Sequence, residues 1–286
     1  MGRDHTYIIA EVGSNWAANL DAAYALIDAA KDAGADAVKF QAGHADHVYD
    51  PAQFPEEHAS FKKWVEPTLD VLPQLAKRCE ERGVDFGCSA FCFDALDAVD
   101  PFVKWHKIAS IEATWKKFTD AVLAKSKPVV WSFGMTTVEE MLALPKIVDR
   151  VVYMTCTVAY PAELADADLQ AMKTWSEPWG LSDHTTHPTI APRTAVALGA
   201  SVIEKHIRPT TPCWECEMYG SASKQLHGDL TATPDFPHSL NPAQFKEMVQ
   251  AIRLTEQALG SSEKRIRESE RPYLKFRRGP RGLRGA

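Results

Sequence analysis

The chain alternates between short apolar runs and longer amphipathic stretches, and this alternation constrains its fold more than any other feature. Strand-like apolar runs occupy residues 7–14, 37–41, 85–91, 105–110, 128–134, 151–157, 179–184 and 202–206. Helix-like stretches occupy residues 20–33, 69–82, 93–99, 115–124, 138–144, 167–175, 190–198 and 242–259. Near-continuous apolar strands are typical of a parallel sheet buried on both faces. Eight β–α repeats predict an α/β protein with a (β/α)8 TIM barrel; a doubly wound sheet, which also alternates strands and helices, is the alternative.

Three segments interrupt this regular alternation. Residues 44–67 and 208–238 predict long loops after strands 2 and 8, and in a barrel such loops open onto the catalytic face. Residues 261–286 are polar and basic, with many lysines and arginines. We therefore predict a single barrel domain over residues 1–260 and a basic polar tail over residues 261–286, which we interpret as a flexible or partner-contacting arm.

Composition excludes several classes of function. The 286 residues carry a formal net charge of -6, which argues against a nucleic-acid partner, because phosphate binding needs a positive field. No apolar run approaches the roughly 20 residues of a membrane helix, so we expect no membrane partner. Six cysteines in a chain of this length do not indicate a disulfide framework, and the apolar run at residues 7–10 is too short to predict a signal peptide. We expect a cytoplasmic protein.

Polar residues stand at the carboxyl ends of most of the predicted strands, where barrels place their chemistry. Burying such groups without partners is costly, so their recurrence on seven strands favours a functional cluster over a purely structural one. They are Glu11, Ser14, Asn15, Lys39, Gln41, Lys107, Ser110, Glu112, Ser132, Thr157, Tyr160, Ser182, Asp183, His184, Glu204, Lys205 and His206.

Two histidines end neighbouring strands. His184 and His206, with Asp183 and Glu204 nearby, provide imidazole and carboxylate ligands suited to Mn²⁺, Fe²⁺, Co²⁺ or Zn²⁺. The alternative is a pair of hydrogen-bonded histidines without a metal. Spacing alone leaves both interpretations open.

Two lysines occupy comparable positions. Lys39 and Lys107, with Ser110 and Ser132, have the charge and hydroxyl groups that would bind a phosphate or carboxylate. The alternative is that these lysines form structural salt bridges with Glu11 or Glu112.

Several distinctive blocks of sequence stand in order over residues 7–260. They include residues 8–15 (IIAEVGSN), 34–41 (GADAVKFQ), 107–110 (KIAS), 181–185 (LSDHT) and 199–206 (GASVIEKH). Together these blocks resemble the sialic acid synthase (N-acetylneuraminate synthase) family. The resemblance is specific for the superfamily and much less specific for the substrate. It implies a barrel enzyme, a transferase that condenses phosphoenolpyruvate with an aldose or N-acyl hexosamine to give a 2-keto sugar acid and phosphate.

The resemblance also implies roles for individual residues. His184 and His206 would bind a divalent metal, Mn²⁺ or Mg²⁺, and Glu11 would lie beside the reacting centre. Phosphoenolpyruvate would contact Lys39, Lys107, Ser110 and Ser132. The remaining substrate contacts would come from Gln41, Glu112, Tyr160, Asp183, Glu204 and Asp235. We also expect a homodimer.

Some residues depart from the family pattern. Trp16 replaces a histidine and Val158 replaces a serine or asparagine, while the connection from His206 to Asp235 is longer than usual. The family's C-terminal antifreeze-like domain has no counterpart in the sequence. We therefore expect an acceptor other than N-acetylmannosamine, or a site completed by another chain.

The long connection carries features of its own. Cys213 and Cys216 have the spacing of half a zinc site, but no second cysteine pair accompanies them. With Trp214, Tyr219 and His227, the connection could act as a lid that contacts the acceptor; the alternative is a surface insertion without a role in the site.

Two other functions remain possible from the sequence. A metal-dependent aldolase or isomerase acting on another carbonyl substrate would use the same pair of histidines. A non-catalytic sugar-binding barrel would not need both the lysines and the histidines, so their joint presence argues against it.

Overall fold

The computed structural model of the chain describes residues 5–144, 149–174, 178–210 and 232–279, together with Arg284. In these residues eight parallel strands close into a barrel in chain order, with β1 paired to β8. The strands are β1 (Tyr7–Glu11), β2 (Ala37–Ala42), β3 (Asp85–Ala90), β4 (His106–Ile108), β5 (Val129–Phe133), β6 (Val151–Cys156), β7 (Trp179–Asp183) and β8 (Val202–His206). The predicted TIM barrel is confirmed.

Helices join the strands and cover the barrel. The α-helices are α1 (Leu20–Ala33), α2 (Ala45–Val48), α3 (Pro55–Trp64), α4 (Thr68–Arg82), α5 (Phe93–Val99), α6 (Lys116–Ala124), α7 (Val138–Leu142), α8 (Ile190–Ala197) and α9 (Pro242–Leu259). Short 3₁₀ helices span Ser110–Glu112, Leu164–Ala167, Leu169–Thr174, Phe236–His238 and Glu268–Phe276. No helix within the described ranges has the length and apolar character needed to cross a bilayer.

Two predicted segments differ in detail from the structure. The predicted loop over residues 44–67 contains α2 and α3; helix α3 begins at Pro55, a residue favoured in a first helical turn. Within the predicted helix over residues 167–175, Ala167 ends one 3₁₀ helix and Leu169–Thr174 forms another, while residue 175 lies outside the described residues. Asp168, between them, has a left-handed φ of 41°, which an α-helix cannot accommodate.

The pleat of the strands divides their side chains between two environments. Alternate residues pack outward against the helices, as Ile8 and Ala10 do, while the others face the barrel interior. Toward the amino ends of the strands this interior is apolar, filled by Ile9, Ala37, Trp105, Val130, Val152, Met154 and Val202. The inward residues nearer the carboxyl ends are polar. The apolar layer therefore forms the floor beneath a polar mouth.

One buried ion pair lies outside this mouth, on the outward side of neighbouring strands. Asp183 of β7 is the register partner of Lys205 of β8, and the Lys205 ammonium lies 2.7 Å from the Asp183 carboxylate. Lys205 also donates to the carbonyl of Thr185, and the Thr185 amide donates to Asp183. Both charged side chains are buried and mutually compensated. The pair therefore serves the packing of β7 and β8.

The chain divides into two compact units, residues 1–256 and 257–286. The first contains the barrel. The second contains the end of α9 and the 3₁₀ helix Glu268–Phe276, whose residues are all exposed. The division of function between a barrel domain and a tail stays a prediction.

The buried pair predicts a large stability effect. Lys205→Met leaves the Asp183 carboxylate buried without its counter-ion, so we expect the free energy of unfolding to fall by about 3–5 kcal/mol. The double variant Lys205→Met, Asp183→Asn should recover part of this loss. Denaturant unfolding measures both. Lys116→Met, which breaks the exposed pair with Asp120, is the matched control and should leave unfolding nearly unchanged. A free energy of unfolding equal to that of wild type in Lys205→Met would show that the buried pair does not stabilise the fold.

Candidate active site

A cavity of about 270 Å³ opens at the carboxyl ends of the strands, above the apolar floor. Eleven of the predicted site residues line it: Glu11, Lys39, Gln41, Lys107, Ser110, Ser132, Tyr160, His184, Glu204, His206 and Asp235. The wall has four other polar residues: the sequence analysis listed Ser182 among the polar strand ends without giving it a role, and it did not name Ser89, Cys156 or His238. Part of the remaining wall is apolar and aromatic, with Val48, Tyr49, Phe61 and Phe91.

Two predicted substrate contacts do not reach the cavity wall. Asp183 lies on the outward side of β7, since its neighbours Ser182 and His184 are the residues that face inward. Glu112 is buried in the 3₁₀ helix Ser110–Glu112 that follows β4. Burial raises the pKa of its carboxyl to about 8, so Glu112 is protonated at neutral pH.

Two departures from the family pattern also have defined positions. Trp16 is buried and packs edge-on against Phe40 in the outer core, so it is not part of the cavity wall. Val158 is half-buried beside Gly134, close enough that a Cβ on that glycine would overlap the Val158 side chain. Residues 211–231 lie outside the described residues, and with them Cys213, Trp214, Cys216, Tyr219 and His227 of the predicted lid.

Within the mouth, above the apolar floor, two lysines and two carboxylates form a buried network. Register places Glu11 between Lys39 on β2 and His206 on β8. The Lys39 ammonium lies 2.6 Å from Glu11 and 3.8 Å from Glu204, and Lys107 lies 3.3 Å from Glu204. Each lysine is thus paired, as the alternative interpretation held, but Lys107 pairs with Glu204 instead of Glu112.

The two carboxylates of this network have opposite protonation behaviour. Complete burial raises the pKa of Glu11 to about 7; Lys39 opposes this effect and the charge of Glu204 adds to it. Burial would also raise the pKa of Glu204, but Lys107 and Lys39 together outweigh it and lower that pKa to about 2. Carboxyls whose environments separate their pKa values in this way can divide the roles of ion and proton carrier. Glu11 is therefore the group able to exchange a proton near neutral pH.

Three imidazoles form one cluster at the rim. The ring centroids of His206 and His238 lie 4.5 Å apart, and each lies 5.5 Å from the ring of His184. Tyr160 packs against His184 and His238, with centroids 4.5 and 5.0 Å away. His184 Nδ1 lies 2.8 Å from the carbonyl of Thr157, which requires a proton on that nitrogen and leaves a lone pair on Nε2.

Asp235 joins this cluster from the 3₁₀ turn that follows the long connection. Its Oδ2 accepts hydrogen bonds from the Ser14 amide at 2.7 Å and the Ser14 hydroxyl at 2.8 Å. A Cβ at position 13 would overlap that same oxygen, and Gly13 has a φ of +52°. Glycine therefore allows the close approach that holds Asp235 in place.

The donor set fits a borderline divalent metal ion. His206, Asp235 and His238 each offer one ligand atom, and these three atoms lie within 4.8 Å of one another. Imidazole and carboxylate ligands suit Mn²⁺, Fe²⁺, Co²⁺ and Zn²⁺. The trio includes one of the two predicted ligands, His206, while His184 stands beside it. His238 follows Asp235 by three residues, a spacing that the sequence analysis did not use.

Comparisons with known proteins agree with the motifs. The NeuB family model matches residues 26–264. An N,N'-diacetyllegionaminic acid synthase of Legionella pneumophila is 32% identical over 93% of this chain and 76% of its own length. An uncharacterized protein of Methanocaldococcus jannaschii is 33% identical over 94% of this chain and 76% of its own length.

A solved structure gives the same result for the fold. The N-acetylneuraminic acid (sialic acid) synthetase of Leptospira borgpetersenii superposes with a TM-score of 0.79 at 26% identity, covering 98% of this chain and 94% of that one. The resemblance inferred from the motifs is confirmed.

The raised pKa of Glu11 predicts a pH dependence of stability. Native Glu11 binds a proton up to about pH 7, whereas its ordinary pKa is 4.5. The free energy of unfolding should therefore fall as pH rises from 4.5 to 7, because the native state holds more protons in that window. Relative to Glu11→Gln, wild type should lose up to about 3 kcal/mol between these pH values.

Denaturant unfolding at pH 5 and pH 7.5 measures this difference. Glu139→Gln, which changes an exposed glutamate, is the control and should follow the wild-type dependence. Parallel pH dependences for wild type and Glu11→Gln would contradict the raised pKa.

Proposed function

Because this chain belongs to the NeuB family, we propose that it condenses phosphoenolpyruvate with an aldehyde sugar, releasing a 2-keto sugar acid and phosphate. One observation carries the proposal: two buried lysines and an imidazole–carboxylate cluster line the same cavity. An anion site beside a metal-ligand cluster is what joining an enol phosphate to an aldehyde requires.

The charges of the cavity support a metal ion as part of the proposal. Glu11 and Glu204 already offset the positive charges of Lys39 and Lys107. A multiply charged anion entering this buried network needs further positive charge, because uncompensated burial is costly. Protonation of Glu11, whose pKa is about 7, would remove one negative charge from the network. A divalent cation would supply the remaining positive charge.

Such an ion would be bound by His206 with other members of the imidazole and carboxylate cluster. When bound, a divalent ion polarises an aldehyde oxygen and stabilises the negative charge that develops on it. The cluster lies at the rim, in the same cavity as the lysines, so both reactants can occupy it together.

Hydroxyl groups complete the proposed anion site. The Ser132 hydroxyl is buried and has no hydrogen-bond partner among the described residues, so it is free to donate to a phosphate or carboxylate oxygen. Ser110 accepts a hydrogen bond from the Gly134 amide at 2.9 Å, and its hydroxyl also contacts the Cys156 thiol, from which its proton would turn to the ligand. With Lys39 and Lys107, these groups would hold phosphoenolpyruvate with C3 directed toward the acceptor.

Glu11 carries the protons in the proposed reaction. C3 of phosphoenolpyruvate attacks the aldehyde carbon, and the resulting alkoxide takes a proton from the Glu11 carboxyl. Water then adds at C2 and returns a proton to the Glu11 carboxylate. The C2–O bond to phosphate breaks, the remaining hydroxyl proton leaves with phosphate, and Glu11 is protonated again. A group with a pKa near 7 is suited to both transfers.

The apolar part of the wall indicates the class of acceptor. Phe61 and Phe91 line the same cavity in edge contact, with ring centroids 5.5 Å apart, and Tyr49 packs against Phe61. An acyl group would bury apolar surface here, which favours N-acyl hexosamines over simple aldoses.

A phosphate-release screen with phosphoenolpyruvate against both classes of acceptor, with and without Mn²⁺, tests the reaction and the acceptor together. Absence of phosphate release with every acceptor would contradict the proposal.

A double variant separates substrate binding by Lys107 from its salt bridge. Lys107→Met combined with Glu204→Gln removes both charges of the pair, so the fold should persist where a single change would leave one charge buried. We expect the Kd for phosphoenolpyruvate to rise about 10- to 100-fold, because a charge-assisted contact contributes about 1.5–3 kcal/mol. Isothermal titration calorimetry measures this Kd in wild type and in the double variant. Wild-type affinity would show that Lys107 is only a structural partner of Glu204.

A further inference from the structure

Cys156 is a free thiol at the end of β6, on the wall of the cavity. It is half-buried, whereas Cys79, Cys88 and Cys92, the other cysteines among the described residues, are buried and are not part of the cavity wall. Within the described ranges, Cys156 is therefore the cysteine that a small molecule entering the mouth can reach. The proposed reaction does not use its sulfur.

The contacts of the Cys156 thiol leave its sulfur open to reaction. The Sγ atom lies 3.8 Å from His184 Nδ1, a nitrogen that also donates to the Thr157 carbonyl. The Ser110 hydroxyl contacts the thiol, and the positive charge of Lys107 acts on it. Because a thiol is a weak hydrogen-bond donor and acceptor, these contacts are easily replaced. Partly exposed thiols in positive surroundings are the ones that react with oxidants.

The space in front of the thiol gives an independent sign of a ligand. Ser132 on β5, the strand next to β6, lines the same cavity. Its side chain is buried, and its hydroxyl has no hydrogen-bond partner among the described residues. Since buried hydroxyls are normally satisfied, we expect the partner to be a molecule that enters the cavity. Such a molecule shares the cavity with the Cys156 sulfur.

We propose that Cys156 is a modification site through which hydrogen peroxide reversibly blocks the anion site. The sulfur attacks one peroxide oxygen and the O–O bond breaks. The second oxygen leaves as hydroxide, which takes the proton released by the thiol and becomes water. The sulfur is oxidised by two electrons to a sulfenic acid, while the peroxide is reduced. Dithiothreitol reverses the step, giving the thiol, water and the cyclic disulfide of the reagent.

The added oxygen would compete with phosphoenolpyruvate. It extends from a sulfur that contacts Ser110 and interacts with Lys107, two of the groups proposed to hold this anion. The oxidised protein should therefore lose affinity for phosphoenolpyruvate, and bound phosphoenolpyruvate should shield the sulfur from peroxide. The identity of the anion rests on the proposed function, whereas the reaction at sulfur is independent of it.

Trapping of the sulfenic acid in the full chain tests the assignment. The background variant Cys213→Ser, Cys216→Ser lacks the two cysteines that lie outside the described residues. This variant is treated with hydrogen peroxide and dimedone in the presence of a chelator, and peptide mass spectrometry locates the adduct. We expect the adduct on Cys156. Phosphoenolpyruvate at about ten times its Kd should lower the yield about tenfold, because only the unliganded protein reacts.

Affinity for phosphoenolpyruvate gives a second measurement. After treatment with peroxide alone and removal of the reagent, isothermal titration calorimetry should show a Kd at least about tenfold higher, because contacts to a charged ligand are lost. Dithiothreitol should restore the original Kd. It does not reduce methionine sulfoxide, which peroxide can form at the exposed Met135, so recovery assigns the loss to a thiol.

Two further substitutions in the same background serve as controls. Cys92→Ser changes a buried cysteine away from the cavity and should keep the response to peroxide. Cys156→Ser should lose the response, so that peroxide leaves its own Kd for phosphoenolpyruvate unchanged. Circular dichroism verifies the fold of each variant, and Cys156→Ala carries the test if Cys156→Ser does not fold.

Three results would overturn the assignment. Absence of an adduct on Cys156 would exclude the modification site. Equal adduct yields with and without phosphoenolpyruvate, in protein that binds it, would show that the sulfur lies outside the anion site. A loss of affinity in peroxide-treated Cys156→Ser as large as in the background variant would assign the effect to another residue. An adduct on Cys156 in protein without affinity for phosphoenolpyruvate would contradict the proposed function alone.

Discussion

Closing eight parallel strands into a barrel forces every second residue of each strand into an enclosed interior. This constraint sorts the side chains before any chemistry is considered. Ile9 and Glu11 face the interior of β1, whereas Ile8 and Ala10 face the helices. The same rule places Glu204 inside and its neighbour Lys205 outside, where Lys205 finds Asp183. The polar mouth is thus a direct consequence of the pleat acting on strands that end in charged residues.

Because the interior is shielded from water, the protonation of each buried carboxyl depends on the lysines beside it. Lys39 lies between Glu11 and Glu204, and Lys107 adds a second positive charge on the side of Glu204. In surroundings that solvate ions poorly, the carboxylate with two lysines stays ionised and the other is free to take a proton. The asymmetry comes from position, since both residues are glutamates with the same ordinary pKa. It provides the cavity with a fixed anion and a proton carrier.

The turn that carries Asp235 and His238 adds the last component of the mouth. It returns against the ends of β1 and β8, where Ser14, Asn15 and the carbonyl of His206 hold it by hydrogen bonds. The centroid of the His238 ring lies 4.5 Å from that of His206 and 5.5 Å from that of His184. Residues far apart in the chain thereby form one cluster. The proposed ion site depends on this return.

The amino-acid sequence by itself determined the alternation of eight apolar strand runs with amphipathic helices, because that alternation is a local periodic property. It favoured a barrel over a doubly wound sheet, and the pairing of β1 with β8 closes the barrel. It also indicated eleven residues of the cavity wall, since the polar ends of parallel strands must meet at one end of a barrel. The tertiary structure alone decided which charges pair. Lys107 meets Glu204 instead of Glu112, and Asp183 turns outward to Lys205, because pairing depends on register and pleat across strands. His238 became part of the site only through the path of the chain, which no local pattern specifies.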